Sequence, residues 1–161
     1  MNTVKIDLCG LPDELRSGLE KLCMHEGFRS GTGGIRLSAR RAGAFSAEFD
    51  GQTLRVEYCE PVQFFRALSY LKRADHRRFA LHRQPVFEHN GVMLDCSRNA
   101  VPRVEAVKMV LRKMALMGLN TLMLYTEDTY EVEGEPYFGY LRGRYTGAEL
   151  KDLDKYAKAH G

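Results

Sequence analysis

Glu127 and Asp128 stand side by side just after an apolar run, Leu122-Met123-Leu124. Arg98 follows a second such run, Val92-Met93-Leu94, with Asp95 and Ser97 between. Two adjacent carboxyl groups are a candidate acid/base pair, and a guanidinium on the neighbouring strand is a binder of anions or hydroxyls. The plainer role of the acidic residues is to cap the next segment or to pair with a nearby arginine. Beyond them, Glu131, Glu133 and Glu135 read as solvated. Tyr137 and Tyr140 either stack on a ligand or pin their loop to its own domain.

The elements that must position these groups are legible around them. The two apolar runs are unbroken, as expected of strands covered on both faces, so they predict a parallel pair. Between them, Val104, Val107, Leu111, Met114 and Gly118 fall on one helical face while Glu105, Lys108 and Arg112 fall on the other. Pro102 suits the first turn of that crossover helix, and Gly118 with Asn120 suits its exit. Polar residues therefore gather at the carboxyl ends of parallel strands, where α/β folds build their sites. A loop over 129–145 follows. Thr146 and Glu149 then form a capping box for a last helix with Leu150, Leu153 and Ala157 facing inward.

The first half follows a different pattern. Val4, Ile6 and Leu8 alternate with polar residues, as do Ile35, Leu37 and Ala39, then Phe45, Ala47 and Phe49, then Leu54, Val56 and Tyr58. These predict four strands with one apolar face. The turns Arg41-Ala42-Gly43 and Asp50-Gly51 are of hairpin size, which predicts an antiparallel meander. Helices over 12–26 (Leu11, Leu15, Leu19 and Leu22 inward) and 61–74 (Phe64, Leu68 and Leu71 inward) cover that face. The predicted order is β-α-β-β-β-α, an α+β domain over residues 1–84, with Pro85 as the boundary. Residues 85–161 then hold two β/α units, read as the first two of a TIM barrel, with an open doubly wound sheet as the competing architecture. A closed barrel takes about 250 residues, so the barrel is expected to be truncated.

Composition narrows the function classes. At 161 residues and 44% hydrophobic content the chain has enough apolar matter for a packed core. Its net charge of +3 gives no reason to expect nucleic-acid or membrane partners. No leader pattern opens the sequence, and no run reaches the roughly 18 apolar residues of a spanning helix, so the expected location is cytoplasmic. Cys9, Cys23, Cys59 and Cys96 show no C-x-x-C spacing and read as reduced core thiols. His25, His76, His82, His89 and His160 show no metal spacing, so neither metal nor cofactor is expected. The cationic run over 73–83 reads as a helix end followed by a solvated connector, without the companions of a nucleic-acid signature. The glycines of Gly31-Thr32-Gly33-Gly34 lack the Lys-Ser/Thr of a phosphate loop and read as a turn.

A resemblance adds what spacing cannot. The run GVMLDCSRN, the stretch MGLNTLMLYTEDTYEVEGEPYFGYLRGRYT and the helix GAELKDLDKYAKAHG resemble the start of the catalytic barrel in glycoside hydrolase family 20, the β-N-acetylhexosaminidases. The resemblance covers 91–161. The α+β half is similar to the small non-catalytic domain that commonly precedes that barrel. By this resemblance, Arg98 is the arginine that hydrogen-bonds the ring hydroxyls of the terminal sugar, and a guanidinium fork suits a vicinal diol. Asp128 falls near an aspartate that supports the acid/base network, beside Glu127. The family more often reads Asp-Asp-Gln there, where this chain has Glu127 and Thr129 around Asp128. The family's catalytic Asp-Glu pair follows its fourth strand and works by a substrate-assisted retaining mechanism. That pair has no counterpart in these residues.

The resemblance thus implies the amino-terminal portion of an enzyme that releases terminal N-acetylhexosamine, itself inactive and with no catalytic residue of its own. Its unpaired apolar strands are expected to drive self-association. Two other readings stay open: a self-contained binding module using 73–83 as its contact surface, and the start of a barrel glycosidase of other specificity.

Overall fold

Leu15, Leu19 and Leu22, spaced as one face of a helix, are fully buried, and Phe64, Phe65 and Leu68 on a second helix are as well. Both helices bury those faces against one six-stranded sheet. The computed structural model describes residues 3–75, 77–98 and 100–161. His76 of the cationic run and Asn99 of the D-C-S-R-N motif lie outside the described residues. In chain order the elements are β1 (Val4–Asp7), α1 (Asp13–His25), β2 (Phe28–Ser30), β3 (Ile35–Arg41), β4 (Phe45–Phe49), β5 (Thr53–Tyr58), α2 (Pro61–Arg73), β6 (Phe79–Arg83), β7 (Gly91–Asp95), α3 (Val104–Met117), β8 (Thr121–Tyr125) and α4 (Gly147–Lys158). Among the described residues, none of these helices is long and apolar enough to cross a membrane.

The first sheet is mixed, with strand order β2-β1-β3-β5-β4-β6. This corrects the expected antiparallel meander and, with it, the α+β assignment: the chain is α/β. Asp50-Gly51 does turn a hairpin between β4 and β5. The Asp50 carboxylate accepts from the amides of Gln52 and Thr53 at 2.9 and 2.8 Å. Those bonds, with Arg55 adding to them, hold its carboxyl well below the usual carboxylate range. Arg41-Ala42-Gly43, however, makes no hairpin. β3 runs parallel to β5, and β4 lies on the far side of β5. Three linking residues can skip one strand, because two strand spacings amount to about 10 Å and an extended residue reaches about 3.5 Å. The strand inserted between them is the one with the most deeply buried face: Leu54 0%, Val56 2% and Tyr58 0% exposed.

Two strands were not foreseen. Phe28–Ser30 is too short to show a pattern, and Phe79–Arg83 lies within the cationic run read as a connector. The latter pairs antiparallel with β4 as an edge strand. An edge tolerates such charge, since the outer side faces solvent. Of the cysteines, all free thiols, Cys96 is buried as expected and Cys23 and Cys59 are half-buried, whereas Cys9 is exposed and departs from the core reading.

The second half is a parallel pair, β7 and β8, joined by α3 as predicted and registered Val92 to Leu122 and Leu94 to Leu124. Among the described residues, only one face of this pair is covered. Leu94, Leu122 and Leu124 pack with Val107, Leu111 and Leu153 of α3 and α4. Met93, Met123 and Tyr125 are 59%, 56% and 48% exposed on the other face. Helices α3 and α4 turn their remaining sides to α1 and α2. Arg66 of α2 donates to the Met117 carbonyl at 2.8 Å, and Phe65 stacks on His160 with centroids 5.7 Å apart. Arg112, read from the sequence as solvent-facing, is buried in that seam at 7% exposure.

Candidate functional site

The ends of β7 and β8 are finished by local turns that follow from the side chains there. After β7, the Asp95 carboxylate accepts from the Ser97 amide at 2.8 Å and the Ser97 hydroxyl at 2.6 Å. These bonds, with a smaller contribution from the charge of Arg98, hold the Asp95 carboxyl below its usual range. The Asx turn leaves Ser97 buried and delivers Arg98 to the surface. Among the described residues Arg98 makes no hydrogen bond or ion pair within the chain, so its planar fork of donors faces outward.

After β8 the chain reverses through Thr126-Glu127-Asp128-Thr129. Thr129 is fully buried, and both its amide and its hydroxyl bond the Thr126 carbonyl, at 3.0 and 2.7 Å. The turn forces Glu127 into the left-handed region, φ +49°. Its exposed carboxylate accepts from the Tyr125 hydroxyl at 3.4 Å. Asp128 points another way: it forms an ion pair with Arg142, at 3.4 Å between Nη1 and Oδ1. The two carboxyl groups therefore have separate partners among the described residues, Tyr125 for Glu127 and Arg142 for Asp128. Among the described residues, neither makes a hydrogen bond or ion pair with Arg98.

The loop after this turn folds on itself. Tyr130 and Tyr145 form a bridge, with Glu131 N bonding the Tyr145 carbonyl at 2.9 Å and Tyr145 N the Thr129 carbonyl at 2.9 Å. Phe138 packs edge-on against Tyr130, with centroids 5.3 Å apart. The Tyr145 hydroxyl donates to the Pro102 carbonyl at 2.5 Å, and burial pushes its pKa up to about 12. Tyr137 and Tyr140 pack on each other at the exposed tip and do not pin the loop to the rest of the chain. The Thr146–Glu149 capping box forms as the sequence predicts, with the Glu149 amide donating to Thr146 Oγ1 at 3.1 Å.

Arg142 is the site residue that sequence reasoning missed. It lies in a stretch without periodicity, and only its place beside Gly139 and Gly143 in a tight loop marked it out. Among the described residues no three His, Cys, Asp or Glu side chains gather as metal ligands. An apolar cleft of about 440 Å³ lies elsewhere, between α3, β8 and α4, lined by Leu111, Leu119, Leu122, Leu150 and Leu153 among others. At the strand ends the chain offers one outward-facing guanidinium and one carboxylate fixed by an arginine. Such a set of donors and acceptors can bind and orient hydroxyls.

No family model matches the chain, and no curated protein does. Solved structures do. A GH20 exo-β-N-acetylglucosaminidase from Vibrio harveyi, in complex with N-acetylglucosamine, superposes with TM-score 0.73 at 19% identity. That match covers 99% of this chain and 32% of the enzyme's. The Streptomyces plicatus N-acetyl-β-hexosaminidase gives 0.73 at 17% identity, over 99% and 40%. A β-N-acetylhexosaminidase from Bacteroides fragilis gives 0.68 at 16%, over 100% and 39%. The chain has the fold of a part of these GH20 β-N-acetylhexosaminidases. The likeness takes in both sheets and all four helices in one stretch, and the chain spans roughly a third to two-fifths of the length of the GH20 enzymes it matches.

Proposed function

We propose that the chain is the amino-terminal portion of an exo-β-N-acetylhexosaminidase, with residues 1–84 as a non-catalytic domain and 85–161 as the opening of a (β/α)8 barrel. The observation that carries this reading is the likeness to GH20 structures over 99% of the chain. The placement of Arg98 and Asp128 just past the carboxyl ends of two parallel strands supports it further. So do the bare face of β7 and β8 and the apolar cleft beside β8, which are where a barrel's remaining β/α units would pack.

In this reading Arg98 binds the ring hydroxyls of a terminal N-acetylhexosamine, and Asp128 with Glu127 supports the acid/base network from the neighbouring strand end. Hydrolysis is retaining and substrate-assisted: the acetamido carbonyl oxygen attacks the anomeric carbon while a general acid protonates the leaving oxygen. The acid and the carboxylate that orients the acetamide belong to later strands, so the 161-residue chain alone has no turnover. No cofactor takes part, the protein acts in the cytoplasm, and the isolated chain self-associates through the bare barrel strands. The test is a substrate panel on the chain extended by the rest of its barrel. Chromogenic N-acetylglucosaminide and N-acetylgalactosaminide should be cleaved and plain glucoside should not. Cleavage of the glucoside alone would move the chain to a barrel glycosidase of other specificity. Cleavage of an N-acetylhexosaminide by the 161-residue chain would overturn its inactivity.

A further inference from the structure

The loop between β8 and α4 reaches back across both strand ends at one side chain. Leu141 sits in the left-handed region, φ +59°, an unfavourable conformation for a non-glycine residue, and its own side chain is exposed. The kink turns the next residue, Arg142, inward, leaving its side chain 30% exposed. Gly139 lets the loop lie directly on the turn after β8: a Cβ at that position would stand 2.0 Å from the Asp128 carbonyl oxygen. Arg142 then reaches two elements at once. Its Nη2 donates to the carbonyl of buried Ser97, and its Nη1 lies 3.4 and 3.5 Å from the two carboxylate oxygens of Asp128.

The Ser97 carbonyl belongs to the peptide group that carries Arg98. A peptide group is planar, so fixing its oxygen fixes the plane in which the Arg98 nitrogen and Cα lie. The same guanidinium aims the Asp128 carboxylate. We propose that Arg142 is the positioning residue of this site, holding Arg98 through the Ser97 peptide and Asp128 through the ion pair. The inference rests on the reading that Arg98 and Asp128 serve sugar hydrolysis. A lysine cannot replace it, because one ammonium lacks the rigid fork whose two nitrogens reach the Ser97 carbonyl and the Asp128 carboxylate separately.

Two measurements decide it. In the 161-residue chain, Arg142→Ala and Arg142→Lys should speed hydrogen exchange at the hydrogen-bonded amides of Thr129, Glu131 and Tyr145 while the thermal midpoint stays within a few degrees. In the chain extended by its barrel, Arg142→Ala should lower kcat/KM on N-acetylglucosaminide by about 100-fold, as small misplacements of binding groups do, and Arg142→Lys should not restore it. Added to an Arg98→Ala/Asp128→Ala background, Arg142→Ala should cost nothing more, because both groups it acts through are gone. An equal loss in both backgrounds, or unchanged exchange and unchanged kcat/KM in the single variants, overturns the proposal. If the extended wild-type enzyme fails to cleave N-acetylhexosaminides, it is the functional reading that fails, and the exchange measurement still decides whether Arg142 holds the loop.

Discussion

Glu26, at the carboxyl-terminal cap of α1, places Oε1 3.2 Å from Nε of Arg112 on α3, with the two side chains 3% and 9% exposed. Eighty-six residues separate them in sequence. The contact ties the helix layer of the six-stranded sheet to the helices behind β7 and β8. Arg112 also donates to the Tyr156 hydroxyl of α4 at 2.8 Å, so three helices meet on one guanidinium. Lys113 pairs with the same carboxylate but is 55% exposed, where an ion pair contributes little.

Glu26→Ala should therefore destabilise the chain by about 3–5 kcal/mol, because it strands a buried cation. Glu26→Met combined with Arg112→Met should cost far less, since it removes both charges from the seam. Denaturant melts of the two variants check this: the first should shift the midpoint strongly, and the second should recover most of the shift.

His160 sets a pH dependence in the same seam. It is 3% exposed, and its Nδ1 lies 2.8 Å from the Tyr156 carbonyl. A carbonyl only accepts, so Nδ1 carries the proton and Nε2 is the buried nitrogen without a partner. Burial lowers its pKa below the ordinary 6.5, and the charges of Lys21 on α1 and Arg112 on α3 add to this against the Tyr156 carbonyl and Glu26. With the folded pKa depressed, the unfolded chain binds the extra proton first. Stability is thus full above about pH 6.5 and falls as pH drops through the window below it. Unfolding free energy measured from pH 7.5 to 5 should show that slope in the wild type, and His160→Phe should flatten it.

The elements were legible where one side chain in three or four repeats, as in Leu15, Leu19 and Leu22, or where a cap marks an end, as in Thr146 with Glu149. Strand order was not, because alternation in Leu37, Ala39, Leu54 and Val56 specifies which face is buried but not which strand lies alongside. Sequence neighbours also pair only about two-thirds of the time. Arg112 was misread because a charge on a polar helix face looks solvated until Glu26 arrives from another helix. The apolar runs placed Arg98 and Asp128 just past the ends of two parallel strands, where the structure has them. Arg142 acts from an irregular loop, and its partners are set only once that loop folds back.

Gly18 yields a test of the seam that opposes helix propensity. It lies inside α1, where alanine would ordinarily gain about 1 kcal/mol. A Cβ there would stand 2.0 Å from the Ala159 carbonyl oxygen and 2.6 Å from Phe65 Cζ. The backbone carbonyl cannot swing aside as a side-chain end can, so Gly18→Ala should lose about 1–3 kcal/mol net from overpacking. A lowered thermal midpoint with faster hydrogen exchange in α4 is the expected result; a raised midpoint would mean that α4 does not rest on α1.

Arg98→Lys separates binding from folding. Arg98 is exposed and unpaired within the described chain, so stability should change by less than about 0.5 kcal/mol. In the barrel-bearing enzyme the loss of the planar fork should cost about 1.5–3 kcal/mol of transition-state binding, read from kcat/KM. Unchanged kinetics in a folded variant would remove Arg98 from the sugar site.

The bare face of the parallel pair leads to the last expectation. Met93 and Met123 lie opposite each other in register and are 59% and 56% exposed, flanked by Tyr125 at 48%. Around them, among the described residues, β7 and β8 form a two-stranded sheet with an unpaired edge on each side. Apolar side chains on an unpaired edge are a template for a second chain. Burying a few hundred Å² of such surface contributes several kcal/mol at about 25 cal/mol per Å², before association costs. The 161-residue chain should therefore be at least a dimer at micromolar concentration. Met93→Lys with Met123→Glu should return it to a folded monomer whose thermal midpoint no longer depends on concentration, since neither side chain touches the core behind the sheet. Light scattering on the two proteins decides the matter. A wild-type chain that stays monomeric while the amides of β7 and β8 resist hydrogen exchange would sink the idea.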